Sequence, residues 1–178
     1  MNIENTSIEN LLLIRQFRLD DARGVFVKTF HDTTMKAHGI DFHCKESIYS
    51  VSSKDVIRGM HFHHPPHQHA KIVFCTQGGI LDVALDLRKN SATYGQYFST
   101  ELSFANNHAL YIPAGFAHGF LTTTETATAF YFIDGEYASA SDDGIRYDSF
   151  GFDWGVENPI LSPRDVQFQT LENFNSPF

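Results

Sequence analysis

From about Val25 onward, short β-branched and aromatic runs alternate with Gly, Asn, Asp and Pro at a spacing too tight for helices to fit between. The pattern predicts strands over residues 25–30, 46–51, 56–63, 71–76, 80–87, 96–102, 109–112 and 126–133. Eight or more strands suit an all-β barrel or jelly roll. Two breaks read as hairpins, Gln77-Gly78-Gly79 and Arg88-Lys89-Asn90-Ser91. The apolar segment around residues 11–17 is a natural strand to cover an open sheet edge. Helix is expected only near the C-terminus, where Ser162-Pro163-Arg164-Asp165 reads as a cap followed by Pro at the first helical position. No repeat, low-complexity tract or linker divides the chain, so residues 1–178 are taken as one domain.

Composition narrows what such a domain can do. With 42% apolar and 14% aromatic residues in 178, the chain can bury a core of ordinary size. Thirteen Lys and Arg stand against 21 Asp and Glu, a formal net charge of -8. No global basic field exists to hold nucleic acid or an anionic membrane, and an anionic ligand would need a local basic pocket. No apolar run approaches the roughly 20 residues that span a bilayer, and Leu11-Leu12-Leu13-Ile14 is too short and too acidic at its front for a signal peptide. The protein reads as cytoplasmic, with Cys44 and Cys75 as reduced thiols buried in or beside strands.

The chemistry is expected where histidines concentrate. Five of the ten, His61, His63, His64, His67 and His69, fall within nine residues. On a regular strand His61 and His63 share one face, because side chains alternate with period two. Arg58 would face the other way unless Gly59 permits a bulge that re-aims it. His64, His67 and His69 flank Pro65-Pro66, where a hydrated loop is the natural setting. A later segment, Pro113-Ala114-Gly115-Phe116-Ala117-His118-Gly119, supplies one more histidine in a turn context.

Together the two segments resemble the paired cupin motifs, an HxH strand and a PxGxxH turn, which implies a small jelly-roll barrel with both motifs facing inward. Two chemistries compete for such a cluster. One is metal binding by His61, His63 and His118 with Gln68, although the Glu of the usual cupin set is missing. The other is metal-free acid-base catalysis by one of the histidines.

Longer stretches sharpen the resemblance. Arg23-Gly24-Val25-Phe26, Val56-Ile57-Arg58-Gly59-Met60-His61-Phe62, Ala70-Lys71-Ile72-Val73, Leu81-Asp82-Val83-Ala84-Leu85-Asp86-Leu87-Arg88-Lys89, Ser91-Ala92-Thr93-Tyr94-Gly95, Ile112-Pro113-Ala114-Gly115-Phe116-Ala117-His118-Gly119-Phe120 and Asn158-Pro159-Ile160-Leu161-Ser162-Pro163-Arg164-Asp165 occur in order. They resemble the dTDP-4-dehydrorhamnose 3,5-epimerase family from about residue 10 to 172. The resemblance implies a cupin-type jelly roll with short C-terminal helical segments, acting on nucleotide-linked 4-keto-6-deoxy sugars without metal or other cofactor.

The same resemblance assigns roles. His61 is the base and Asp165 its partner; Lys71 lies near the ketone oxygen, and Tyr131 is the acid that reprotonates the carbon. Arg58 and His118 match sugar and phosphate contacts, and Arg164 a further phosphate contact. Tyr137 matches an aromatic that stacks on the base, with Glu46 and Asp142 also placed in the substrate site. Arg23 matches an arginine donated across a homodimer interface, which the N-terminal strand would build by crossing to the partner. An Arg suits this because its planar fork meets phosphate oxygens in pairs.

Departures from the family pattern are also visible. His63 stands where many members carry Gln, Phe132 where they carry Lys, and Lys28 where they carry Glu. Glu46-Ser47-Ile48 replaces a Gln-x-Asn that touches the nucleotide base, so the nucleotide is left open among dTDP, GDP, CDP and UDP. Inversion at C3, C5 or both is equally open. A metal-dependent cupin enzyme and a non-catalytic sugar-nucleotide binding protein are the alternatives.

Overall fold

The computed structural model describes residues 1–178. One sheet takes β1 (Asn2–Asn5), β2 (Leu12–Arg15), β5 (Glu46–Ser53), β7 (Lys71–Gln77), β10 (His108–Ile112) and β12 (Thr126–Ile133), in the spatial order β1-β2-β10-β7-β12-β5. The second takes β6 (Ile57–His63), β8 (Gly79–Asp86), β9 (Tyr97–Ser103), β11 (Phe116–Thr122) and β13 (Asp142–Gly144), in the order β13-β6-β11-β8-β9. A separate hairpin is made by β3 (Phe17–Asp21) and β4 (Gly24–Lys28). All strand pairs are antiparallel. The expected all-β, cupin-type jelly roll is the observed architecture, and no helix is long and apolar enough to cross a membrane.

Hydrophobic residues fill three layers. Between the sheets lie Val73, Cys75, Ala84, Leu110, Phe116 and Phe120. Outside the six-stranded sheet, Met35, Ile40 and Phe42 cover Ile14, Ile72 and Phe74. Outside the five-stranded sheet, Trp154 and Phe174 cover Phe62, Val83 and Leu85. Central strands are thus buried on both faces. That is why β11 escapes a search for alternation: all seven of its residues are buried, so no polar positions mark its period.

Three sequence expectations need correction. Gln77-Gly78-Gly79 is not a hairpin, because it carries the chain from β7 in one sheet to β8 in the other. Gly78 makes this corner possible: it takes φ +67°, and a Cβ there would stand 2.1 Å from the Thr126 carbonyl oxygen. Helix is not confined to the C-terminus, since α1 (Asp32–Ala37) buries Met35 against the six-stranded sheet. One buried anchor in so short a segment leaves no periodic signal to read. Finally, β2 does cover a sheet edge, but within its own chain, between β1 and β10.

Other expectations are met. Arg88-Lys89-Asn90-Ser91 lies in the β8–β9 hairpin, fastened by the fully buried Asp86. Its carboxylate accepts from the Arg88 backbone and Nε at 2.9 Å each, and from the Ser91 and Thr93 hydroxyls at 2.7 Å each. The C-terminal helical segments are single 3-10 turns, Asp165–Gln167 and Leu171–Asn173. Ser162 caps the first one, its carbonyl and hydroxyl both accepting the Asp165 N–H at 3.1 Å. Both cysteines are free and Cys75 is buried as expected, but Cys44, expected to be buried too, is exposed just ahead of β5.

Candidate active site

The site begins with a fault in strand pairing. His118 on β11 faces His61 on β6, but Phe120 faces Arg58, so β6 spends three steps where β11 spends two. Gly59 sits in this bulge at φ +140°, so close to Gly119 that a Cβ on it would lie 2.5 Å from the Gly119 Cα. The bulge turns Arg58 onto the inner face with His61 and His63. All three line one cavity of about 400 Å³ between the two sheets.

Alternate residues of the facing strands complete the walls. Glu46, Ile48 and Ser50 come from β5, Lys71 from β7, His118 from β11, and Tyr131 with Ile133 from β12. Tyr137, Asp142 and Arg164 join from segments after β12. Ten of the eleven residues singled out from the sequence are thereby gathered, with Asp165 immediately behind His61. Arg23 is the exception. Its side chain is 87% exposed on the β3–β4 hairpin, paired with Asp21 at 2.6 Å.

Two His–Asp pairs organise the inner end. Asp165, 3% exposed, meets His61 Nε2 at 2.8 Å and accepts the Gly59 N–H at 3.3 Å through its other oxygen. His61 Nδ1 makes no protein hydrogen bond, and the ring is braced edge-on by Phe168 at 5.7 Å. Burial alone would raise the Asp165 carboxyl, but the His61 contact together with Gly59 and Ser162 holds it below the ordinary value. It therefore stays ionised and can support a proton on the ring. The second pair is fully interior: His118 Nε2 meets Asp82 at 2.7 Å. Burial keeps His118 below the usual imidazole value despite that carboxylate.

Lys71 and Tyr131 are shifted by the same desolvation. Burial brings the Lys71 ammonium down to about 8, against the pull of Asp82 and Asp142. It has no hydrogen bond or ion pair in the protein, so its charge is available to a ligand. Burial, reinforced by the Asp82 charge, pushes the Tyr131 hydroxyl well above the ordinary tyrosine range, so it enters as a proton donor. Its ring lies edge-on to His118 at 5.9 Å.

The outer end is held by polar links. Arg164 pairs with Asp142 at 2.8 Å and lies over the Phe168 ring at 5.1 Å. Glu46 accepts the Tyr137 N–H at 2.9 Å, leaving the Tyr137 ring 62% exposed at the mouth.

Sequence reasoning missed several of these groups. Asp82 could have been noticed as a charge inside the apolar run of β8. Ser50, whose buried hydroxyl has no partner, carries no sequence signal. His64, His67 and His69 all lie in the loop expected around Pro65-Pro66, but only His67 is exposed to solvent. His69 is half-buried in the cavity wall, and His64 bonds Asp143 at 2.8 Å. Gln68 is exposed and outside the cavity, and no group of three or more His, Cys, Asp or Glu is arranged to hold a metal ion.

Of the four departures from the family pattern, two lie away from the cavity. Phe132 points to the opposite face of β12 from Tyr131, among Phe30, Phe74 and Phe130. Lys28 is exposed at the end of β4. His63 lies in the cavity wall, as do Glu46 and Ile48 of the Glu46-Ser47-Ile48 segment.

Comparison with known proteins identifies the family. Residues 5–173 match the family model described as dTDP-4-dehydrorhamnose 3,5-epimerase. The Escherichia coli (strain K12) dTDP-4-dehydrorhamnose 3,5-epimerase is 36% identical over 97% of this chain and 95% of its own length. A Streptomyces niveus protein named dTDP-4-dehydrorhamnose 3-epimerase is 35% identical, covering 93% of this chain and 81% of its own. Among solved structures, the dTDP-6-deoxy-D-glucose-3,5-epimerase of Legionella pneumophila Philadelphia 1 in complex with dTDP-4-keto-L-rhamnose superposes with a TM-score of 0.93 at 32% identity. That match covers 98% of this chain and 94% of the other. This chain accordingly belongs to the dTDP-4-dehydrorhamnose 3,5-epimerase family and is an isomerase of that class.

Proposed function

We propose that the protein inverts C3, C5 or both of a nucleotide-linked 4-keto-6-deoxy sugar of the dTDP-4-dehydro-6-deoxyglucose type, in deoxysugar biosynthesis. The observation that carries this reading is the opposition of two proton-transfer groups. His61, backed by Asp165, stands on one sheet, and Tyr131 stands on the other, with the cavity between them. Inversion at carbon requires removal of a proton from one face and its return to the other.

The C4 ketone acidifies the adjacent C–H bonds. His61 takes the proton through its unpartnered nitrogen, and Asp165 stabilises the imidazolium that forms. The C–H electron pair becomes the enolate double bond, and the carbonyl pair moves onto the ketone oxygen. Lys71, charged and unpaired, stabilises that oxygen. Collapse of the enolate then draws the Tyr131 proton onto the opposite face, and solvent returns a proton to the Tyr131 phenolate and takes the one held by His61, which resets both groups. Every step uses the chain's own residues.

Arg58, His118, Asp142 and Arg164 hold the sugar and phosphates, while Tyr137 and Glu46 at the mouth meet the nucleotide base. The complex named for the Legionella pneumophila relative supports a dTDP-sugar ligand. Arg23 acts in a homodimer, carried by the β3–β4 hairpin to the partner's nucleotide. Support for that comes from the hairpin's isolation from both sheets and its exposed Phe17, Leu19, Val25 and Phe26.

Incubation with dTDP-4-keto-6-deoxyglucose in heavy water, with and without chelator, tests the proposal by NMR. Deuterium at C3, C5 or both, unchanged by chelator, is expected and identifies the centres handled. Loss of exchange on chelation would favour a metal-dependent cupin, and binding without exchange a non-catalytic protein.

A further inference from the structure

His63 and His69 are ionisable cavity residues to which the proposed reaction assigns no task. Their ring centroids lie 4.6 Å apart, tilted by 44°. His69 donates from Nδ1 to the His67 carbonyl at 3.1 Å, which leaves Nε2 as its basic nitrogen. His63 accepts the Ala138 N–H on Nε2 at 3.5 Å, which puts its ring proton on Nδ1. Gly135 backs His69 so closely that a Cβ there would lie 2.6 Å from the His69 Cβ. Both rings are therefore held in place as neutral imidazoles.

Their position corresponds to one part of a nucleotide sugar, if the proposed function holds. His63 is two residues beyond His61 on the same face of β6, about 7 Å along the strand. On its far side its ring meets Tyr137 edge-on at 5.7 Å. The wall thus runs from His61 through His63 to Tyr137 at the mouth. A nucleotide sugar has a matching order: reacting sugar, diphosphate, nucleoside. With the sugar at His61, the diphosphate lies against His63 and His69.

Charge completes the argument. The charged groups facing the pair are Lys71 on β7, Arg164 from the C-terminal segment, Asp142 on β13 and Glu46 on β5. The two carboxylates balance Lys71 and Arg164, which leaves Arg58 as the one cation of the cavity in surplus to meet the two charges of a diphosphate. Arg164 is moreover already paired with Asp142, and Arg58 Nε already donates to Ser52 at 2.9 Å.

We infer that His63 and His69 bind the substrate's diphosphate, and that the pair gains one proton as the diphosphate binds. Burial first, and then the Lys71 charge, bring His69 down to about 4, and burial also lowers His63. Without an anion the pair is neutral at pH 7. A bound diphosphate favours the charged form, whereas two charged rings this close repel, so uptake stops at one proton. The consequence is that binding tightens as pH falls.

Calorimetry with dTDP-glucose tests this, since its doubly esterified diphosphate does not titrate near neutrality and it lacks the ketone. Titrations at pH 7 in buffers of differing ionisation enthalpy read the protons taken up. The wild type should take up about half a proton or more per site, with Kd falling by as much as about tenfold per pH unit between pH 8 and 6. His63→Gln and His69→Gln should each cut the uptake by more than half and flatten the pH dependence. A merely structural role would instead weaken binding equally at every pH. Binding without proton uptake in the wild type, or uptake unchanged in both variants, would overturn the inference and leave the proposed function standing. Failure to bind dTDP-glucose at any pH would overturn the function assigned to the cavity, and this inference with it.

Discussion

Asp165 reaches His61 from 104 positions further along the chain and bonds its Nε2 at 2.8 Å, while its other oxygen takes the Gly59 N–H of the β6 bulge. One buried carboxylate thus orients the base and ties the C-terminal segment to the strand that carries it. Asp165→Asn keeps the shape and removes the charge that supports the imidazolium. The expected result is a loss of about 100-fold in kcat with nucleotide-sugar binding retained, read by NMR turnover and calorimetry. Wild-type turnover in this variant would remove Asp165 from the mechanism.

Tyr131→Phe deletes only a hydroxyl from a ring packed against the core and His118. Proton removal by His61 should persist while reprotonation on the opposite face slows by about 100-fold. Exchange of substrate protons with solvent deuterium should therefore continue as epimerised product disappears. Equal loss of both activities would contradict the acid assignment.

Lys71 sets a pH limit. Its lowered value of about 8 means that the free enzyme loses this cation as pH rises past 8. Since only the charged form stabilises the enolate, kcat/KM should fall on the alkaline side with a midpoint near that value. Lys71→Arg, always protonated, should move that limb to higher pH even where it lowers the rate. A limb that stays in place in Lys71→Arg would assign it to another group.

Gly119 tests the coupling of fold to site. A Cβ at this position would meet Met60 Sδ at 2.7 Å, the Arg58 carbonyl at 2.8 Å and the Gly59 Cα at 3.0 Å. Gly119→Ala should cost about 2 kcal/mol in denaturant unfolding, because overpacking here strains two backbones. With Arg58 re-aimed, KM for the nucleotide sugar should rise more than kcat falls. A variant as stable and active as the wild type would mean that the bulge does not position Arg58.

Most inner-wall residues were legible in the chain because catalysis needs particular residue types and strands repeat with period two. His61 and His63 follow from alternation alone, and the possibility of a bulge at Gly59 was visible beside Arg58. The family motifs then supplied Asp165, Lys71, Tyr131 and His118. Asp82 and Ser50 were not legible as site residues, since a polar group's partners are fixed by which strand lies opposite.

Local sequence by itself determined the all-β character, the positions of most strands and the stretch where the histidines would matter. These depend on neighbours within a few residues, through alternation, turn chemistry and β-branching. It took the tertiary structure to show that Gln77-Gly78-Gly79 crosses between sheets, that α1 covers the six-stranded sheet, and that His69, within its loop, turns inward to face His63. It also left Arg23 outside the cavity. Each of these depends on long-range packing, in which the surface a residue meets is supplied by a segment far away in the chain.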